Sequence, residues 1–192
     1  MSGKTIGLVT LALISCIAAK MTLAQPLTLQ QVVEVSGVIF SGTVTKVWSE
    51  RDVATGFIVT HAQIAVQEAV RGTNGNQFTF KQYGGRSGGL NVFVADMSYF
   101  VEGEEVVAFL YPASALGLTS PVGTNEGKMT VRRDPETGKK MVYGSFVHAQ
   151  MLAPFIGKSA PAPEPAVMPV PIMEYDRFIG LVRQLAQCNP RQ

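Results

Sequence analysis

FIVTHAQIAVQEAV (57–70), RGTNGN (71–76) and QFTFKQY (77–83) decide the fold class of this 192-residue chain. Ile58, Ala62, Ile64 and Val66 fall on one face of the first segment, with Val59, His61 and Gln63 on the other. In the third, Phe78 and Phe80 point one way, Thr79 and Lys81 the other. A period of two marks a strand with one buried face. The Gly/Asn-rich joint tolerates the positive φ that a tight reversal needs. The spacing predicts a long antiparallel hairpin.

Upstream, residues 27–35 have helical spacing, with Leu29, Val32 and Val33 on one face. Thr28 is a fair N-cap, with Gln31 three residues on. Residues 38–48 read as a strand in which Gly42 marks a bulge or bend, and 50–56 as a polar turn. Downstream come a glycine-rich loop at 84–89, a short edge strand at 90–94, and a strand at 105–111 apolar enough to be buried on both faces. Shorter strands are expected at 118–122, 128–132 and 140–143, the last after the turn Asp134-Pro135-Glu136-Thr137-Gly138. Many short strands with regular turns predict a mainly β barrel or sandwich. Its core is expected to gather Ile64, Val66, Phe78, Phe80, Val107 and Phe109.

The β domain is thus expected over 27–153. Residues 154–171, which include APAPEPAVMPVP, read as an extended Pro/Ala linker. A C-terminal helix is expected over 172–188. Tyr175, Phe178, Ile179, Val182 and Leu185 form its apolar stripe, too wide to stay in water. The helix should dock back on the β domain.

Residues 1–24 read as a secretory signal peptide: Lys4, an apolar run over 6–19, then Thr22-Leu23-Ala24 before cleavage between Ala24 and Gln25. The run is short for a bilayer, and no second one follows, so no transmembrane span is expected in the mature chain. Cys16, behind Leu13-Ile14-Ser15, carries a second reading as the lipidated cysteine of an envelope lipoprotein, with a lipid anchor. Ile17-Ala18-Ala19 continue the apolar run where a polar tether would stand, which favours cleavage after Ala24. Either way the chain is expected to be exported, to the periplasm or beyond.

The leader holds Lys4 and Lys20 and no acid. The remaining 168 residues therefore carry 14 basic and 14 acidic side chains, a net charge of zero. That argues against nucleic acid as the partner. Cys188 is the one cysteine left, so a disulfide scaffold is excluded within the mature chain.

The candidate chemistry is thin. Gly85-Arg86-Ser87-Gly88-Gly89 fits the G-x-S-x-G pattern, and His148 lies downstream. A nucleophile elbow needs a helix after the serine, whereas 90–94 reads as β. His61, His148 and Cys188 are too few for a four-ligand zinc site. Gly123 to Lys128, GTNEGK, lacks the phosphate-loop spacing, and Met129 stands where a hydroxyl is needed. Arg132, Arg133, Lys139 and Lys140 flank one turn, but Asp134 and Glu136 sit among them. The residues thus point to no catalytic residue, no cofactor and no metal, and to a protein as partner.

Several stretches together resemble a group of uncharacterised exported bacterial proteins: Val38-Ile39-Phe40-Ser41-Gly42-Thr43-Val44, Val66-Gln67-Glu68-Ala69-Val70-Arg71-Gly72, Gly84-Gly85, Gly103-Glu104-Glu105-Val106-Val107-Ala108-Phe109-Leu110 and Glu126-Gly127-Lys128-Met129. The pattern is also similar to the OB-like barrel of netrin modules and tissue inhibitors of metalloproteinases. The resemblance covers 27–143 and implies an OB-like β-barrel, flanked here by the two helices. Its motifs are turns and core positions, so they speak for fold rather than function. The inhibitors ligate a protease's zinc with an N-terminal cysteine; here the mature start is Gln25. The expected function is a non-enzymatic exported binding or structural domain, watched at the loops 50–56 and 84–89. The alternative, by fold analogy alone, is a protein that binds or restrains an exported protease.

Mass spectrometry of the native protein should find Gln25 as its first residue. A diacylated Cys16 would replace the cleavage reading with the anchored one.

Overall fold

The computed structural model describes residues 26–156 and 170–188. Cys16, the Ala24–Gln25 junction and residues 157–169 of the Pro/Ala segment lie outside the described residues. The order is α1 (Leu29–Val35), β1 (Val38–Arg51), β2 (Ile58–Arg71), β3 (Gln77–Tyr83), β4 (Gly85–Ser87), β5 (Leu90–Val92), β6 (Glu105–Leu110), β7 (Lys128–Arg133), β8 (Lys140–Gly144), α2 (Phe146–Ile156), β9 (Val170–Glu174) and α3 (Tyr175–Cys188). With 45% strand against 19% helix, the chain is mainly β.

Local chemistry sets the first elements. The Thr28 hydroxyl accepts from the Gln31 backbone N–H at 3.2 Å, and the Gln31 side chain accepts from the Thr28 N–H at 2.9 Å, so α1 starts on a capping box. In β1 the register against β2 shifts between Ser41 and Gly42. A Cβ on Gly42 would fall 2.7 Å from the Ile64 methyl and closer still to the Ala65 carbonyl oxygen, so only glycine lets the two backbones approach there.

Seven strands form one antiparallel sheet in the order β3-β2-β1-β6-β7-β8-β9; β4 and β5 form a separate hairpin. The expected closed barrel is not found. Strands β3 and β9 are the sheet's edges, and no ladder joins them among the described residues. The strand expected over 118–122 reduces to two bridges, a parallel one from Leu118 to Lys81 and an antiparallel one from Pro121 to Leu110. Pro121 has no N–H to extend a ladder.

The single core expected from alternation is two cores. Phe40, Val44, Ala62, Ile64, Phe80, Phe100, Val106, Ala108 and Leu110 form one, with Val66 and Phe78 at its margin. Val107 and Phe109 belong to the other, with Leu29, Val32, Ile39, Val142, Leu152, Met173 and Phe178. Alternation assigns a residue to a face but does not say what covers that face. Here the helices cover one face of β1 and β6, and the curled β1–β3 sheet encloses the other.

The C-terminal third differs in its boundaries. Residues 146–156 are helical, so the helix α2 runs through Pro154 into the expected linker. Residues 170–174 are strand rather than linker and helix, and α3 begins at Tyr175. Pairing with β8 draws Val170–Glu174 into the sheet, and Pro171 is accommodated beside a register shift on this edge strand. Helix α3 does dock: Tyr175, Phe178, Ile179 and Val182 are buried, and the Phe178 ring meets Phe109 edge-on at 6.3 Å. The Tyr175 hydroxyl donates to Ser41 Oγ at 3.0 Å. Among the described residues no helix is long and apolar enough to cross a membrane.

One cation ties both helical ends to the sheet. Arg71, the last residue of β2, donates to the Val33 and Ser36 carbonyls at 2.6 and 3.1 Å and to the Ala186 carbonyl at 3.3 Å. Positive charge at two helix C-termini is favourable.

Two substitutions test this arrangement by denaturant unfolding. Phe80→Ala should cost about 3–5 kcal/mol, as for a buried aromatic. Arg71→Met should cost about 1.5–3 kcal/mol through its charge-assisted hydrogen bonds. A near-neutral result for either would mean that its burial or its clamp is misassigned.

Candidate functional site

The two loops singled out in the sequence meet at one end of β1–β2–β3. Strand β1 runs on to Arg51, so the first turn starts at Asp52 rather than Glu50. It is tightly built. The Asp52 N–H donates to the Phe57 carbonyl at 2.8 Å and the Gly56 N–H to the Asp52 carbonyl at 2.7 Å. The Thr55 hydroxyl donates to Asp52 Oδ2 at 2.7 Å, and the Arg51 guanidinium to the Gly56 carbonyl at 2.9 Å. Lys81 Nζ lies 3.4 Å from the same Asp52 oxygen. The Thr55 hydroxyl first, and then Lys81, hold the Asp52 carboxyl below its ordinary value.

The second loop is a hairpin rather than a flexible span. Gly85–Ser87 pairs with Leu90–Val92, and the Gly88-Gly89 turn has positive φ at both residues, as a two-residue hairpin requires. Its base is fixed under the first loop. The Gly84 N–H donates to the Ile58 carbonyl at 2.8 Å, and the Thr60 hydroxyl to the Gly84 carbonyl at 2.7 Å. Gly85 has φ +133°, and any Cβ there would run into the Thr60 and Ser49 hydroxyls.

An aromatic chain links the loops. Phe57 meets Tyr83 edge-on at 5.5 Å. The Tyr99 hydroxyl donates to the Tyr83 carbonyl at 3.0 Å and accepts from the Val94 N–H at 3.2 Å, while its ring meets Phe93 at 5.0 Å. Within this chain Phe57 is 44% and Phe93 50% exposed, and the two loops also present Val53, 100% exposed, and Leu90, 50% exposed. On the adjoining sheet face Trp48 and His61 stack at 4.8 Å, nearly parallel, and His61 Nε2 lies 3.1 Å from the Glu50 carboxylate. Nothing in the sequence spacing foretold the aromatic chain. Only its Phe57–Tyr83 link was within reach, because the 57–83 hairpin sets Val59 opposite Tyr83.

The other sequence candidates lie apart. Ser87 sits in the hairpin, where Leu90 pairs with it. His148 is buried elsewhere, and its two ring nitrogens engage Ser145 and Glu126. Lys128 of GTNEGK is bound to Glu104 Oε1 at 2.7 Å and to the Tyr99 carbonyl at 2.6 Å. Of the basic hairpin, Lys139 pairs with Glu174 and Lys140 with Glu105, and the Arg133 guanidinium donates to the Gly138 carbonyl. The two lysines are thus paired with carboxylates of the fold. Cys188 is exposed at the end of α3. Among the described residues no group of three or more His, Cys, Asp or Glu is arranged to hold a metal.

Comparison with protein families, curated proteins and solved structures returns no match. The reading of the site therefore rests on its own geometry.

Gly85→Ala should lower stability by about 1–3 kcal/mol, combining strained φ with overpacking against Ser49 and Thr60. Gly88→Ala meets no atom within 4 Å and should cost less. Equal melting temperatures for the two variants would show that the hairpin base is not packed as described.

Proposed function

We propose that this chain is an exported, non-enzymatic binding domain on an OB-like scaffold, and that a protein partner docks at the loop end of β1–β3. The observation that carries the reading is the pairing of two half-exposed aromatic side chains, Phe57 on Tyr83 and Phe93 on Tyr99, on well-built turns that also present Val53 and Leu90 to water. Exposed apolar side chains that cluster, rather than scatter singly, mark interaction sites. Aromatic residues also dominate the energetic centres of protein interfaces. A surface prepared in this way suits binding.

Two further lines support the scaffold and the location. Strands β3, β2, β1 and β6 curl around one core, and the 118–121 segment touches both β3 and β6 through its two bridges. OB-like barrels, the scaffold proposed here, present a strand face and its neighbouring loops to ligands. The charged, apolar and cleavage regions of residues 1–24 support export, with the periplasm or the exterior as destination.

The test is capture from the exported fraction, with the mature chain and a Phe57→Ser/Leu90→Ser variant as parallel baits, quantified by mass spectrometry. The wild-type chain should hold a saturable protein partner. The variant, with its melting temperature unchanged, should lose about tenfold or more in affinity, the effect expected for interface anchors. Equal capture by both baits would remove the loop end from the proposal, and no saturable partner would remove the binding reading. A protease as the captured protein would supply the identity implied by the netrin-like resemblance.

A further inference from the structure

His148 is buried, and its bonds define its protonation state. Nδ1 lies 2.9 Å from the Ser145 backbone N–H, which can only donate, and 2.9 Å from the Ser145 hydroxyl. Nε2 lies 3.1 Å from the Glu126 carbonyl, which can only accept. The neutral ring with its proton on Nε2 satisfies both. Ser145 precedes α2 and His148 is its third residue. The imidazole therefore stands where a capping box places Glu or Gln, receiving the N–H of the residue before the helix. The ring is also confined: a Cβ on Gly144 would fall 2.6 Å from His148 Cβ.

This bond anchors more than one turn. Helix α2 carries Met151 and Leu152 into the helical core, and near its other end the Phe155 carbonyl accepts from Arg177 at 2.8 Å. The segment before α1 packs beside it: Pro26, Leu27 and Thr28 share a cleft of about 330 Å³ with Gln150, Met151 and Pro154. The Glu126 carboxylate bonds the Leu27 backbone, while the Glu126 carbonyl receives His148.

We propose that His148 is an acid-sensitive latch that holds α2 and the adjoining segment 26–28 on the core at neutral pH and releases them on acidification. A second proton would sit on Nδ1, against the Ser145 N–H, and would place an unpaired charge in a buried site. Burial depresses the His148 pKa below the ordinary imidazole value, and the backbone of Glu126, Asn125 and Lys128 offsets this in part. For a depressed histidine, the contribution to stability is complete above its unfolded pKa of about 6.5 and is lost as the pH falls through the folded value.

The charged groups on the neighbouring elements do not supply a substitute. From the 122–128 turn, Lys128 is paired with Glu104. From β8, Lys140 is paired with Glu105; from β9, Glu174 is paired with Lys139; from α3, Arg177 donates to Phe155. Glu126 is the other titrating group at the turn, and burial raises its pKa. A raised carboxyl loses stability as pH rises, so Glu126 acts in the opposite direction to the latch.

The experiment is hydrogen exchange of the full mature chain between about pH 8 and about pH 5, corrected for intrinsic rates and read on the peptide covering 146–156. Protection of that peptide should fall by up to about tenfold per pH unit below about 6.5, ahead of β1 and β6. His148→Gln can keep both hydrogen bonds but cannot titrate, so its protection should stay flat. Wild-type protection that is flat, or an identical fall in the variant, overturns the proposal. Should the variant not fold, proton NMR of the two histidine rings in the wild-type chain decides. A His148 pKa at or above about 6.5 overturns the latch, and a clearly lower one supports it.

Discussion

Strands β1 and β6 carry side chains into both cores, and their pairing holds the two halves of the molecule together. Ile39, Val107 and Phe109 face the helices, while Phe40, Val106, Ala108 and Leu110 face the curled β1–β3 sheet. A strand with one wet face has its register set by polarity, because a slip of one residue exposes its apolar set. Strand β6 is apolar on both faces, so polarity cannot do this. Shape does it instead. A Cβ on Gly127 would collide with the Phe109 carbonyl and the Val122 N–H, and Gly42 brings β1 against Ala65. The close approach at Gly127 is to β6 itself, at Phe109, and the one at Gly42 fixes β1 against β2.

The helical layer is attached by polar contacts at its ends and apolar ones along its length. Arg71 reaches the carbonyls that end α1 and α3, which lie 115 residues from it at the far side of the chain for Ala186. Tyr175 bonds Ser41, and Lys140 sits 3.9 Å over the Tyr175 ring while facing Glu105 at 2.5 Å. Burial pushes the Tyr175 hydroxyl up from its ordinary value, and its bond to Ser41 works against that shift. The Arg183–Glu68 ion pair adds a contact on the exposed side, where such pairs contribute little. The apolar face of α3, not its charges, is what keeps it in place.

Much of this was legible where the deciding physics is local. The 57–83 hairpin, the Thr28–Gln31 cap, the Gly42 irregularity and the 134–138 turn all follow from side chains within a few residues. What required distant partners was not. FVHAQMLAPFI reads poorly as a helix because it has no clear polar face and ends near Pro154; the burial of His148, Met151 and Leu152 comes from the tertiary fold. VPIME looked like linker running into helix, since Pro171 disfavours a strand until an edge position is offered by β8. The site divides in the same way. Both loops were visible as turn chemistry, but the aromatic chain through Tyr83 and Tyr99 depends on contacts between segments that sequence spacing does not relate. The role of His148 was not visible, because its partners are the Ser145 N–H and hydroxyl and the Glu126 carbonyl, and neither backbone group carries a side-chain signature.

Trp48 is the chain's single tryptophan, and it lies flat against His61 beside the loop end, outside both cores. Imidazole is a quencher of indole emission, and more strongly so when protonated. The intrinsic fluorescence of this protein is therefore a local optical signal from the β1–β2 face. It reads the ring pair and whatever settles on it, while the interior of the molecule stays dark to that channel.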